Sequence, residues 1–590
     1  MFLDMASADS RSENGGWAGA PGEDRRSGQR VEDGRRRIRS CSGCRGSSPS
    51  QKDRYVLIVS IWRVYSQRDR VEQEYLLGRL KSVDTGYLQD RRCMEGTRKS
   101  LLEKLITWAT NDSGQKDEGN TYWVYGLPGI GKTSLAHSVC ASLHKEKRLA
   151  GAFFCRRDDP KLSEPRNILP TLIYNLSIIF PLFRSVVAES LRNDPNLTPG
   201  SMEYTLFHDL ICKLPRPPTR ALVFVIDAFD ECGDKWSRPG VLKVLADAAA
   251  QAPWLKIIIT SRPETDIERF FNSLTPSSYL RDDLAADEQA TSDLRVFAQD
   301  RFRRVASEWY LPSPWPEQSL FNGIISRAAG LFIFIETISL ALEKCDDPTE
   351  LLKKTLEDSA GTSLKSLYKL YSSILKARIE PNNAKFQRVI GVVLATAPYR
   401  ALCEETIGEL AEVDRGHVKR WVDGLSSLLY RDERVNGAIR VRHLSISEFF
   451  VSDDCPSSYR VALGDTNTQL GIVCLRTMIR QLRFNICKLA DSRLANADVQ
   501  DLESRIRDNI SDALQYSCLY WSNHICFDRD NGDRRVLKEF FEGLYALFWI
   551  EVLSIMGMVP IGAPSVRRVI SWVKVSTSTL RSSFHDCKLL

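Results

Sequence analysis

The chain has 590 residues, 81 Lys+Arg against 75 Asp+Glu for a formal net charge of +6, and 43% hydrophobic and 26% charged residues. That length is too great for one hydrophobic core and implies about three or four domains of ordinary globular composition. So small and diffuse a positive surplus reads as solvated surface, so bulk charge gives no argument for a nucleic-acid partner.

Residues 1–50 are rich in Gly, Ser, Arg and Asp and have almost no apolar periodicity, so they are expected to be a disordered basic tail. Acidic residues from Asp4 onward and the lack of an apolar stretch argue against a signal peptide. Arg35, Arg36, Arg37 and Arg39 read as a solvated basic cluster, with an import signal or anionic-surface contact as the alternative. Cys41-x-x-Cys44 has no second pair at zinc spacing and is not expected to bind metal. The 15 Cys are otherwise scattered singly. Cys140, Cys155 and Cys212 lie in apolar runs as small hydrophobes, and the odd count points to a reducing, cytoplasmic compartment.

Residues 51–90 mix apolar and charged positions at near-helical spacing and are expected to form a helical segment. Residues 91–118 hold a clearer amphipathic helix. Leu101, Leu102, Leu105, Ile106 and Ala109 share one face over Arg98–Thr110, and Asn111-Asp112-Ser113-Gly114 ends it.

The span 119–285 alternates strands and helices, the pattern of a parallel α/β sheet with helices on both faces. Thr121–Tyr125 is a β-prone run, followed by Gly126-Leu-Pro-Gly-Ile-Gly-Lys-Thr-Ser134, which fits the phosphate-cradling loop G-x-x-x-x-G-K-[S/T], and then by a helical stretch. Gly126, Gly129 and Gly131 allow the backbone of this loop, with Ile130, to curl so that successive N–H groups face one phosphate. Lys132 is placed to reach the β and γ phosphates, Thr133 to ligate Mg²⁺, and Ser134 to continue the cradle. Ala150–Cys155 reads as a second strand and Ile168–Ile179 as a helix. Ala221–Asp227 is an unbroken apolar run ending in acid, as expected for a parallel strand covered on both faces, and is expected to run beside the phosphate loop. Asp227 would hold the Mg²⁺, and Asp230 or Glu231 would orient or deprotonate an attacking water. The alternative is a polar strand end facing solvent. Leu255–Ser261 is the next strand, and Arg262 after it is placed to sense a γ-phosphate, or is an ordinary surface arginine.

Beyond residue 285 the β signals fade. Residues 286–380 read as a helical domain, with helices over Asp293–Val305, Leu320–Leu342 and Leu364–Ile379. Residues 381–460 give helices at Lys385–Ala395, Glu404–Leu410 and Arg415–Leu429, then two β-prone runs around Asn436-Gly437, a type I′ hairpin signal. Three short helices and a hairpin describe a winged helix. Its DNA-binding use needs a basic helix, but Arg415, Lys419 and Arg420 are offset by Asp414 and Asp423, so no specific nucleic acid is expected. Residues 461–590 read as a C-terminal helical region with Tyr516, Tyr520, Trp521, Phe541, Tyr545, Phe548, Trp549 and Trp572 as core aromatics. Gly330–Leu342 and Leu544–Gly562 are interrupted by Glu336 and Glu551 and read as buried helices, so no transmembrane segment is expected.

The order GLPGIGKT, LVFVIDAFDE, IIITSRP resembles the NACHT class of signalling NTPases, with the small residue and paired acids after Asp227 as its mark. The flanking stretches Cys93–Arg98, Gly151–Phe154, Ala329–Ile333, Arg442–Phe450 and Leu482–Cys487 resemble the large fungal NACHT group often joined to WD or ankyrin repeats. The resemblance implies a cytoplasmic, NLR-like switch of the STAND class that binds ATP or ADP with Mg²⁺. It would oligomerise with its own copies on activation and hydrolyse slowly to reset. Fungal non-self recognition or cell death is the implied setting, and a nucleotide-dependent scaffold without turnover is the alternative. It also implies that His443 of the winged helix contacts the β-phosphate; a core histidine is the other reading. Related proteins carry a Pro in the helical domain that packs on the base. The matching stretch here is Gly330-Leu331-Phe332, which leaves GTP as well as ATP open. No periodic repeat and no effector domain is legible, so a shortened gene is one expectation.

Overall fold

The computed structural model describes residues 70–576, except 81–82, 84–86, 113–118, 195–203, 213, 215, 358–362, 492–493 and 526–532. The expected basic tail with its arginine cluster, the Cys41/Cys44 pair, most of the 51–90 segment, the side chain of Trp572 and residues 577–590 lie outside the described residues. The described residues from Gln73 onward form one compact unit.

Five strands make the sheet: β1 (Thr121–Tyr125), β2 (Leu149–Phe154), β3 (Leu222–Asp227), β4 (Leu255–Ser261) and β5 (Tyr279–Asp283). They are parallel, in the order β2-β3-β4-β1-β5. The apolar runs of β1, β3 and β4 have the physical origin expected of them, because both faces of the sheet are covered. Tyr122, Val124, Val223, Val225 and Ile258 face one core, and Trp123, Phe224, Ile226, Ile257 and Ile259 face the other. Each such side chain, fully buried, contributes about 1.5–3 kcal/mol. The first core does not stop at the sheet. It runs on through the later helices as far as Val569, which ties them to the site-bearing strands.

Several expectations are corrected. β3 does not neighbour β1; β4 lies between them, so Asp227 approaches the phosphate loop from the next strand but one. β5 follows residue 278, where no strand was expected, because Tyr279–Asp283 is a half-buried edge with two acids and no apolar run. The helix expected over Leu320–Leu342 is two helices. Ala329 and Gly330 have φ of +46° and +86°, a left-handed pair that no helix continues through.

The helices that position the site are α1 (Lys99–Thr110), α2 (Lys132–Lys145), α3 (Ala290–Glu308), α4 (Gln318–Ala328), α5 (Phe332–Leu342) and α6 (Ser363–Arg378). On α1, Leu101, Leu105 and Ala109 of the expected stripe are buried, Leu102 and Ile106 only partly, and Trp108, outside the stripe, is buried with them. The three-helix unit is α7 (Ala384–Thr396), α8 (Glu404–Ala411) and α9 (Arg415–Gly424), and its antiparallel ribbon is β6 (Leu429–Asp432) with β7 (Ala438–Val441). α9 therefore ends earlier than expected, because Leu429 belongs to the ribbon. The ribbon connection is also not a two-residue type I′ turn. Glu433–Val435 form a 3-10 turn, and Asn436 and Gly437, at φ +51° and +66°, complete the loop as its left-handed residues. α10 (Leu444–Val451) follows the ribbon, and α11 (Leu463–Gln481) and α12 (Asp512–His524) lead the C-terminal helices. There Tyr516, Trp521 and Trp549 are fully buried, with Tyr520, Phe541, Tyr545 and Phe548 packed against them. Cys140 and Cys155 are buried, whereas Cys212 is only half-buried. No described helix is long and apolar enough to cross a membrane.

Candidate functional site

A cavity of about 1610 Å³ opens at the C-terminal ends of β1, β3 and β4, between the sheet, α5, the ribbon and α10. Parallel sheets place ligand sites at this end because loops and helix N-termini converge there. Gly129, Gly131, Lys132, Thr133, Ser134, Asp227, Asp230, Glu231, Arg262 and His443 all line it. Gly126 and Ile130 do not reach the wall, and act from beneath it.

The glycine loop curls between β1 and α2. Gly129 and Gly131 adopt φ of +78° and +100°, open to glycine and costly to other residues. The loop leaves the first-turn amides of α2 without helical acceptors, a favourable end for an anion. Lys132 folds back on the loop: its Nζ donates to the carbonyls of Gly126 at 2.7 Å and Leu127 at 2.9 Å. Burial pushes the ammonium down to about 8, with Asp230 opposing the shift and Arg262 adding to it. Ile130 is buried, and its carbonyl accepts from Arg98 Nη2 at 3.1 Å.

Asp227 is buried at the end of β3. It accepts from the Thr260 hydroxyl of β4 at 2.5 Å, and the same hydroxyl oxygen receives the Ala228 amide at 3.0 Å. Thr260 thus ties the end of β3 to β4, the strand that separates it from β1. Burial raises the Asp227 carboxyl, while hydrogen bonds from Thr260 and Thr133 pull it back. Thr133 and Asp227, the expected metal pair, therefore lie side by side. Asp230 is buried, and its two oxygens take the Arg262 amide at 2.9 Å and Arg262 Nε at 3.3 Å. Glu231 accepts from the Arg157 amide at 3.3 Å; burial, then the neighbouring Asp230, push its carboxyl up to about 7.

Arg262 is no plain surface arginine: its Nη1 meets Glu448 Oε1 of α10 at 2.6 Å. His443 caps α10, with Nδ1 accepting from the Ser445 amide at 3.1 Å and 2.7 Å from the Ser445 hydroxyl, which also meets Tyr371 at 2.9 Å. The accepted N–H puts the ring hydrogen on Nε2. His443 keeps some surface on the cavity, but the loss of water around the ring lowers its pKa to about 3, helped by Arg262 and Lys132. It is a neutral imidazole at neutral pH.

Three contributors escaped the sequence reading. Arg98 is buried and joins the glycine loop to Asp287 at 2.5 Å, while its own amide donates to Asp293 of α3 at 2.9 Å. Ile333, in the first turn of α5, donates its amide to Gly129 O at 3.2 Å. Glu448 is the third. Each lies in a stretch that carries the family resemblance, but no local pattern marks a residue whose partner is distant in the chain.

Residues 96–262 match the family model described as Nephrocystin 3, N-terminal, a span from the turn before α1 to Arg262. No curated protein matches the chain. Among solved structures, a STAND (signal transduction ATPase with numerous domains) protein with a tetratricopeptide repeat sensor from Pyrococcus horikoshii aligns at 14% identity and TM-score 0.37, over 83% of this chain and 66% of that one. A Walker-type ATPase of Pyrococcus abyssi aligns at 14% identity and TM-score 0.29, over 63% and 99%. The Aeropyrum pernix Orc1 protein, in a complex with DNA, aligns at 14% identity and TM-score 0.29, over 62% and 94%.

Proposed function

We propose that this chain is a nucleotide-regulated switch that binds ATP or ADP with Mg²⁺ at the cavity and changes its assembly state with the nucleotide held. The observation that carries the reading is the convergence, at one end of the sheet, of the glycine loop with Lys132, the Thr133–Asp227 pair and Arg262. The donor set fits a polyphosphate: left-handed glycines, free helix amides and a buried ammonium. Thr133 and Asp227 are oxygen ligands suited to Mg²⁺, which would supply charge neutralisation at the phosphates. Gly126, Gly129, Ile130, Gly131 and Ser134 shape and line the cradle. Glu231, titrating near 7, is placed to accept a proton from water, and Asp230 to hold Arg262. His443 offers a neutral donor from the winged-helix side. The segments divide as core 119–285, helical domain 286–380, winged helix 381–460 and helical region 461–590, and self-association on activation follows from the resemblance. Adenine over guanine, slow hydrolysis as the reset, a cytoplasmic place and an NLR-like role in fungal non-self recognition or cell death belong to the same reading.

Lys132→Ala tests the site. Equilibrium dialysis with labelled ATP should show binding to the wild-type chain and a loss of about a hundredfold or more in the variant, since a buried charge-assisted contact is removed. Unchanged binding rejects the site.

The second reading is a scaffold with negligible turnover, in which Asp230 braces Arg262 in the same way and Glu231 acts on no water. Phosphate release from wild type and Glu231→Gln separates the two, equal rates favouring the scaffold.

A further inference from the structure

We propose that Glu448 sets the preference of this site for a nucleoside diphosphate over a triphosphate, by holding Arg262 in an ion pair that a terminal phosphate must displace. The inference rests on the nucleotide reading above and concerns the regulation of that same site.

Arg262 follows β4 directly, so its backbone is fixed by the sheet. Its amide and Nε are engaged by Asp230, at 2.9 and 3.3 Å, and Nη1 by Glu448 at 2.6 Å. The side chains are 16% exposed for Arg262, 2% for Asp230 and 27% for Glu448, so water and salt screen the cluster only in part. One guanidinium thus faces two carboxylates. A diphosphate lacks the group that would compete for Arg262. A terminal phosphate reaching for it would meet the Glu448 carboxylate, and one of the two anions must leave.

Glu448 cannot simply follow the arginine, because α10 is firmly seated. Ile446, Phe449 and Phe450 are fully buried, Phe449 packs on Tyr368 and Tyr371 at centroid distances of 5.4 and 5.5 Å, and His443 caps the helix. Displacing the Glu448 carboxylate therefore removes a contact that holds the seated α10 to the strand end bearing Arg262. α10 is joined to the ribbon, whose buried Arg440 holds Asp158 of the loop after β2 at 2.6 Å. Release of Arg262 by a terminal phosphate is thereby coupled to the contact between the winged helix and the core.

The test uses the full chain and equilibrium binding, with no turnover in the readout. Fluorescent ADP and a non-hydrolysable ATP analogue, each with Mg²⁺, are titrated into wild type, Glu448→Gln and Glu448→Asp. Wild type should favour ADP. Glu448→Gln should tighten triphosphate binding by about tenfold, within the usual range of a coupling between sites, and leave ADP within about twofold. Glu448→Asp keeps the charge, shortens the reach, and should shift the ratio in the same direction, so the inference stays open to refutation if the Gln variant folds poorly. A lowered melting temperature with an unchanged ratio in both variants makes Glu448 a mere brace and overturns the inference. A wild-type chain that binds neither nucleotide overturns the nucleotide reading itself, and this inference with it.

Discussion

Lys132 stands where burial and charge oppose each other. Burial lowers its pKa to about 8 in the free site, and the nearby carboxylates hold it from falling further. A bound phosphate favours the ammonium, so the bound-state pKa lies above the free-state value. Below pH 8 both states carry the proton, and affinity is level. Above it, binding must take up a proton, and affinity falls by up to about tenfold per pH unit. ADP dissociation constants measured from pH 6.5 to 9.5 in the Glu231→Gln chain, which lacks the second group titrating in this range, should therefore be flat and then rise, with the break near 8. A flat profile throughout would remove Lys132 from the phosphate contact.

At the scale of elements, the phosphate loop is held from outside by the first turn of α5. A methyl on Gly129 would fall inside the Ile333 side chain, at a φ of +78° that already resists one. Gly330 has φ +86° but open space around it. Gly129→Ala should thus cost strain plus a clash, about 2–4 kcal/mol, and Gly330→Ala the strain alone, about 1 kcal/mol. Denaturant midpoints of the two variants check this; equal losses would mean that α5 does not brace the loop. The same contact shows what the chain concealed. β1, β3 and β4 were legible because their burial on both faces writes a continuous apolar run, and the glycine loop because its chemistry is local. β5 was not, since its outer edge tolerates Asp282, which accepts from Tyr122 and Lys104, and Asp283, which accepts from the Ala285 amide. The helix break at Ala329-Gly330 hid inside an apolar stretch whose period continues across it. Arg98, Ile333 and Glu448 act through partners far away in sequence, which no window on one chain can pair. The intervening β4 likewise follows from topology alone.

Across the whole molecule, neutral histidines are built into separate parts of the core. His137 of α2 stacks on Phe154 at 4.1 Å and accepts the Leu88 amide at 3.2 Å. His524 of α12 lies between Tyr516 at 2.7 Å and Asn467 at 2.8 Å. Burial lowers both to about 4 from 6.5, with Arg91 adding to the effect on His137. The unfolded chain therefore takes a proton between pH 6.5 and 4 that the fold refuses, so stability is complete above this window and lost as pH falls through it. Each histidine contributes a slope of about 1.4 kcal/mol per pH unit. Glu231, raised to about 7 from 4.5, works the other way over its own window, because the fold holds its proton and loses stability as pH rises. It offsets about one of the two histidines, and His443, held near 3, adds to the acid-labile side. The thermal midpoint should fall as pH drops from 6.5 towards 4.5, and His524→Gln, which keeps hydrogen-bonding capacity without the titration, should flatten that fall. Parallel curves for the two proteins would show that His524 is charged or solvated in the native chain. A midpoint that rose on acidification would show that the fold does not hold these histidines neutral.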